Sequence, residues 1–247
     1  MTQLSPAEVM ISAIAPMLDG LGHVAVGSQS PIPGSAALLA QAKSGGRMRV
    51  SILGSEEQNP FTDGGRELFD CAGQGRIDAF FLSGGQIDGQ ANINLVGTSA
   101  LADYPLSQQR FPGSFGSAYL YFVVPRVILF REEHTPRTLV EKVDFISAPG
   151  TSDPDVWRPG GPHALVTSLC VFTFDARRRR FRLQSLHAGV RAHDVAAATG
   201  FSYDVPSEVP ETPAPDAAAL ALLRGDIARA VAATYPAFAR KTWGLGN

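Results

Sequence analysis

Phe80 to Gly97, reading FFLSGGQIDGQANINLVG, gathers the residue types of this chain best suited to hold a reacting carbonyl. Ala79 to Leu82 is a short apolar run without polar alternation, as expected of a strand covered on both faces in a parallel sheet. Ser83-Gly84-Gly85 then breaks it. Paired glycines allow positive φ and let a ligand reach N–H groups that a Cβ would shield, so Gly84 and Gly85 are candidates for an anion or oxyanion cradle. Beyond the turn, Ile87, Ala91, Ile93 and Leu95 alternate with Asp88, Gln90, Asn92 and Asn94, which predicts a strand with one apolar and one amide-rich face. A glycine hairpin with a polar solvent face is the plain alternative.

Other chemistries find little support. No G-x-G-x-x-G follows a strand and no G-x-x-x-x-G-K-[ST] occurs, so neither a dinucleotide fold nor a P-loop is indicated. The five histidines lack ligand spacing, and no metal site is expected. Cys71 and Cys170 are read as buried free thiols. Arg131-Glu132-Glu133-His134 reads as a charged strand end, with His134 facing a cleft as the alternative. Arg177 to Arg180 could favour phosphate or nucleic acid, but at a hairpin tip four arginines are more often a solvated turn. A net charge of −2 and a pI near 6.2 give no general drive towards nucleic acid or an anionic membrane. With no 18-residue apolar run and no basic, apolar leader, the expectation is a cytoplasmic protein without membrane contact.

The elements that must carry these residues follow βαβ order. At 247 residues with 18% charged and 45% hydrophobic side chains, the expectation is one globular domain spanning 1–247. Ser5-Pro6-Ala7-Glu8 is a capping box opening a helix over 6–20. His23 to Val26 reads as a strand, followed by a helix with Ser35 as N-cap that ends at Gly45-Gly46. Met48 to Leu53 is the next strand, Asp63 caps a further helix, and Ile77 to Leu82 is a third strand. Ala118 to Phe130 is expected to hold one or two strands. Val166 to Phe174 and Phe181 to Leu186 are expected to form a hairpin. A short helix over 194–199, an extended strap from 205 and a helical tail to 247, interrupted at Gly225, complete the chain. The predicted class is α/β, an open and largely parallel sheet flanked by helices, with ligands at the carboxyl ends of the strands.

Gly85-Gln86-Ile87-Asp88 followed by Ala91-Asn92-Ile93-Asn94 resembles the G-x-Q-I-D-x-x-G-N-I-N segment of class I CoA-transferase β subunits, with Ala91 standing where that family has glycine. Glu132-Glu133-His134, Val140 to Ile146, Ser185 to Val190 and Ala198 to Phe201 match in order. The resemblance implies a homologous α subunit, an α2β2 heterotetramer, and no cofactor beyond the coenzyme A of the substrate. It also implies a substrate-binding set of Ser28, Gly54, Ser55, Gly84, Gly85, Gln86, Asn92 and Asn94. Transferases of the family carry a glutamate after the strand placed at Met48 to Leu53, which attacks the acyl-CoA and forms a glutamyl-CoA thioester. Here that slot holds Gly54. Glu56 could return a carboxylate to the site through a shifted loop, but a two-residue slip moves it by about 6–7 Å. Gly54 to Gly65 points to a subfamily, and the whole chain looks most like the steroid ring-cleaving hydrolase β subunits (IpdB-type). That branch implies hydrolytic carbon–carbon cleavage of a cyclic oxo acyl-CoA with the acid/base glutamate on the α subunit. A CoA-transferase using Glu56 is the alternative.

Overall fold

The structure, a computed structural model, describes residues 4–99 and 109–245. Residues 246 and 247 of the expected tail lie outside the described residues. The chain forms two compact units, residues 1–81 with 213–247, and residues 82–212.

The first unit opens with helix α1, Pro6–Ile14. Its start is fixed locally: Ser5 Oγ accepts the Glu8 N–H at 3.2 Å and Glu8 returns a carboxylate oxygen to the Ser5 N–H at 2.9 Å. A 3-10 turn, Ala15–Leu18, continues it. Met10, Ile11, Ile14 and Leu18 are fully buried, at helical spacing. Strand β1 (His23–Val26), helix α2 (Pro31–Lys43), strand β2 (Arg49–Ile52), helix α3 (Gly65–Gly73) and strand β3 (Ala79–Leu82) follow. β1 lies parallel to β2, with Val26 opposite Ile52, and parallel to β3, with Val24 opposite Ala79. Two predicted helix starts differ. α2 begins at Pro31, whose fixed φ suits the first helical position, so the Ser35 hydroxyl lies inside the helix and donates to the Pro31 carbonyl at 2.7 Å. Asp63 does not cap α3. Gly64, at φ +52°, stands at the N-cap, Asp63 pairs with Arg66, and Glu67 accepts the Thr62 and Asp63 N–H groups instead.

The second unit begins with two short strands, β4 (Gln86–Ile87) and β5 (Ile93–Asn94), paired antiparallel. β6 (Gly97–Thr98) pairs with β7 (Gln109–Arg110). The predicted single strand through 87–95 is therefore a hairpin, folded at residues 88–92. The segment predicted as strands from Ala118 is helix α4, Ser117–Val123, which buries Ser117, Leu120 and Tyr121 at i, i+3 and i+4. Strand β8 (Arg126–Arg131) starts after Pro125 and runs parallel to β9 (Pro162–Thr167). β9 turns at residues 168 and 169 into antiparallel β10 (Cys170–Asp175), so the predicted strand over Val166 to Phe174 is two strands. β11 (Arg180–Leu186) completes the expected hairpin with β10, and α5 (Ala192–Ala198) follows. Phe172 and Phe181 are fully buried, 5.9 Å apart, with Phe201 stacked at 5.4 Å from Phe181.

The chain then returns to the first unit as α6 (Ala217–Leu222), a π-helical step (Leu223–Ile227), α7 (Ala228–Thr234) and α8 (Pro236–Trp243). The expected interruption falls at Gly225, whose φ −99° and ψ −105° leave helical geometry. Arg224 reaches Glu8 with two bonds, 2.6 and 2.9 Å. Burial opposes ionisation of Glu8, but the Arg224 and Ser5 hydrogen bonds hold its carboxyl below the usual carboxylate range. A mostly parallel sheet flanked by helices, with a hairpin and a helical tail, is the class predicted. Cys170 is buried, which pushes its thiol up to about 12, whereas Cys71 is only half-buried, against expectation. Among the described residues, no helix is long and apolar enough to cross a membrane.

Candidate functional site

In the first unit the candidate residues lie in the loops after β1 and β2. Leu53 extends the β1–β2 pairing by donating to Val26 O at 3.0 Å. Gly54 then takes φ +85°, a left-handed conformation that costs glycine little and other residues about 1–2 kcal/mol. Ser55 closes the turn. Its N–H donates to Ile52 O at 3.1 Å, its buried hydroxyl accepts the Gln58 N–H at 3.1 Å, and Gln58 O accepts Ile52 N–H at 2.9 Å. A Cβ on Gly54 would stand 3.5 Å from Ser28 Cβ, an ordinary contact, so conformation and not crowding favours glycine there. Glu56 and Glu57 are exposed and border a cavity of about 150 Å³ shared with Ala230, Thr234 and Tyr235. The Tyr235 hydroxyl donates to Gly27 O at 3.3 Å, and burial pushes its pKa up to about 12.

In the second unit the amides have a different occupation from the one predicted. Gln86 faces Asn94 across the hairpin. Asn94 Nδ2 donates to Gln86 Oε1 at 2.7 Å and to Gly97 O at 2.8 Å, while its Oδ1 accepts the Val96 and Gly97 N–H groups at 3.0 and 3.2 Å. Gln86 Oε1 also accepts Asp144 N–H, and its Nε2 donates to Asp144 Oδ2. Asn92 donates to Asp88 at 3.1 Å and accepts Gly150 N–H at 3.1 Å. Asp88 holds the turn by accepting the Gln90 and Asn92 N–H groups. Every one of these amides is buried and engaged. Gln86 and Asn92 therefore fasten the hairpin to the 144–150 segment, and Asn94 ties Gln86 to the Val96-Gly97 turn.

The glycines are also needed for another reason than the predicted one. Neither Gly84 nor Gly85 has positive φ. A Cβ on Gly85 would lie 2.2 Å from the Phe111 ring, and one on Gly84 would lie 2.6 Å from Ile93 Cγ2 and 2.7 Å from Gln86 O. Close packing excludes side chains there. The Gly85 N–H is taken by Asn94 O at 2.9 Å. Gly84 is buried, and its N–H has no partner among the described residues.

The family model described as Coenzyme A transferase matches residues 7–198. The chain belongs to that family. It is 36% identical over 166 residues to a 3-oxoadipate CoA-transferase subunit of Pseudomonas knackmussii, covering 64% of this chain and 62% of the relative. The chain thus spans less than two thirds of that relative's length. It is 26% identical to the cholesterol ring-cleaving hydrolase IpdB subunit of Rhodococcus jostii over 81% of this chain and 83% of the relative. The crystal structure of glutaconate coenzyme A-transferase from Acidaminococcus fermentans superposes with a TM-score of 0.78 at 22% identity, over 91% of this chain and 95% of that one, which establishes the shared fold.

Ala91, which the resemblance sets where the family has glycine, stands at φ +61°. The departure is accommodated: the Tyr121 hydroxyl donates to Ala91 O at 2.9 Å, and Gly150 packs so closely that a Cβ there would meet Gln90 O at 2.2 Å. His134 lies buried at the end of β8 and does not face a cleft. It bonds Thr167 Oγ1 at 2.7 Å and Thr199 Oγ1 at 2.9 Å, and burial with nearby His187 lowers its pKa to about 4. Among the described residues no group of three or more acidic, cysteine or histidine side chains could hold a metal. Tyr235 is the site neighbour that sequence reasoning missed. It touches Gly27 across 208 positions, and no local pattern announces such a contact.

Proposed function

We propose that this chain is the β subunit of a two-subunit, cytoplasmic CoA-transferase-family hydrolase that opens a ring of a steroid-derived cyclic oxo acyl-CoA. The observation that carries this reading is Gly54. The turn after β2, where transferases of the family bear their nucleophilic glutamate, holds a glycine at φ +85°. Glu56 and Glu57 stand exposed further along the loop. Without a covalent carboxylate, water is the nucleophile. Its oxygen adds to the ring ketone, the tetrahedral oxyanion collapses with cleavage of the bond to the carbon α to the thioester, and that carbon takes up a proton. The products are a carboxylate and an open acyl-CoA. A homologous α subunit, in an α2β2 assembly, supplies the acid/base carboxylate; Ser28, Gly54 and Ser55 shape the pocket, and no cofactor is required.

The identity to a 3-oxoadipate CoA-transferase subunit favours a second reading, CoA transfer through Glu56. Turnover of a cyclic β-oxo acyl-CoA by the co-expressed complex in ¹⁸O-water separates the two. The hydrolase reading requires one ¹⁸O atom in the new carboxylate and no borohydride-reducible thioester on this chain. A trapped Glu56 thioester would establish the transferase.

A further inference from the structure

The second unit contains a cavity of about 530 Å³ with a chemistry unlike that of the loops described above. Pro125, just before β8, and Pro162, the first residue of β9, both line it. β8 and β9 are parallel, with Leu129 opposite Leu165, so their amino ends share this edge. The turn between β10 and β11 returns to it through Ala176, Arg177 and Arg179. Ligands of open α/β sheets ordinarily occupy the carboxyl edge. This cavity is at the other one.

Its walls are cationic. Arg158, Arg177 and Arg179 line it, with Asp153 as the only carboxylate in the lining. Arg158 is half-buried, its donors directed at the carbonyls of Gly160, Tyr121 and Pro149 at 2.9, 3.0 and 2.9 Å. Its guanidinium lies 5.2 Å from the Tyr121 ring centroid, and no carboxylate neutralises it among the described residues. The single carboxylate of Asp204 pairs with both Arg178 and Arg180. Arg177 and Arg179 are left without one among the described residues. The turn is rigidly made: Asp175 Oδ1 accepts the Arg177 and Arg178 N–H groups at 3.0 and 3.1 Å. Arg179 has φ +51°, the left-handed position that hairpin turns ordinarily give to glycine. Its guanidinium donates to Ser152 O at 2.8 Å, on the far wall. A bulky residue kept in that conformation points to a use for its side chain.

We propose that this cavity binds a small phosphoanhydride ligand, a nucleoside diphosphate or pyrophosphate, through Arg177 and Arg179. Guanidinium forks match phosphate oxygens in pairs, and Arg158 adds positive potential from the wall. A volume of this size falls in the range of small-molecule sites, about 300–1,000 Å³. This site is independent of the acyl-CoA chemistry proposed above.

Calorimetric titration of the full chain with ADP, pyrophosphate and adenosine tests it. ADP and pyrophosphate should bind, adenosine should not, and added salt should weaken both. Arg177→Ala should lower the affinity about tenfold, the loss of a charge-assisted hydrogen bond. Arg179→Gly relieves the left-handed strain, so it should preserve or raise the melting temperature while losing affinity by a similar factor. The proposal fails if neither phosphate ligand binds, or if Arg179→Gly binds them as the parent does. Loss of a co-expressed partner from the Arg177→Ala chain, with no phosphate binding in the parent, would make the turn a protein contact and also overturn it.

Discussion

Replacing Gly54 by alanine isolates the conformational reason for that glycine. A Cβ at this position meets only Ser28 Cβ at 3.5 Å, so no steric term enters. An L-residue held at φ +85° costs about 1–2 kcal/mol. Restricting the unfolded chain by losing a glycine returns about 0.4–1 kcal/mol. The net loss should be about 1 kcal/mol, a fall in melting temperature of about 2–4 °C for a chain of this size. Gly54→Glu adds only an exposed carboxylate and should melt within about 0.5 kcal/mol of the alanine variant. Scanning calorimetry of the parent and both variants reads these values directly. The pair then separates fold from chemistry. Gly54→Glu, assembled with its partner and given an acyl-CoA, should form a borohydride-trappable thioester at position 54, and Gly54→Ala should not. A higher melting temperature for Gly54→Ala would refute the reasoning, because it would mean that the turn is not left-handed and the slot has another geometry.

Asn94→Ala should lower stability by about 3 kcal/mol in urea unfolding, since it strips partners from Gln86, Val96 and Gly97 in a fully buried setting. An unchanged unfolding midpoint with a raised KM would instead make Asn94 a substrate ligand. Stability should also fall on acidification between about pH 6.5 and 4. The folded pKa of His134 is depressed to about 4 from 6.5, so the unfolded chain takes up the proton first as pH drops. The share due to His134 approaches about 3 kcal/mol and should be lost in His134→Gln, which keeps the acid loss due to His23, His163 and His187, whose pKa values burial also lowers, as urea midpoints at several pH values would read.

Local signals were legible in the sequence, and distant ones were not. The Ser5 to Glu8 capping box needs only four consecutive residues, and it forms as written. The strands β1 to β3 and the break at Gly225 are likewise marked by nearby residues. The stretch Ser117 to Val123 holds three aromatic residues and so reads as strand, although its buried positions 117, 120 and 121 follow a helical period. Period two over Ile87 to Leu95 is equally misleading, because a strand and a hairpin with an Asp88-centred turn produce the same alternation. Identifying Gln86, Asn92 and Asn94 as important was within reach of the sequence. The use of Gln86 and Asn92 was not, because it depends on Asp144 and Gly150, each 58 positions away from its partner.

The Glu8–Arg224 pair joins residues 216 positions apart, at the two ends of a unit interrupted by the whole of the other. During synthesis at roughly 5–20 residues per second, α1 must therefore wait roughly 10–40 s for the arginine that completes its setting. Its capping box can form at once, but its carboxylate cannot be buried without cost until the tail emerges. The first unit to leave the ribosome is thus the last to finish folding, and the order of assembly runs against the order of translation.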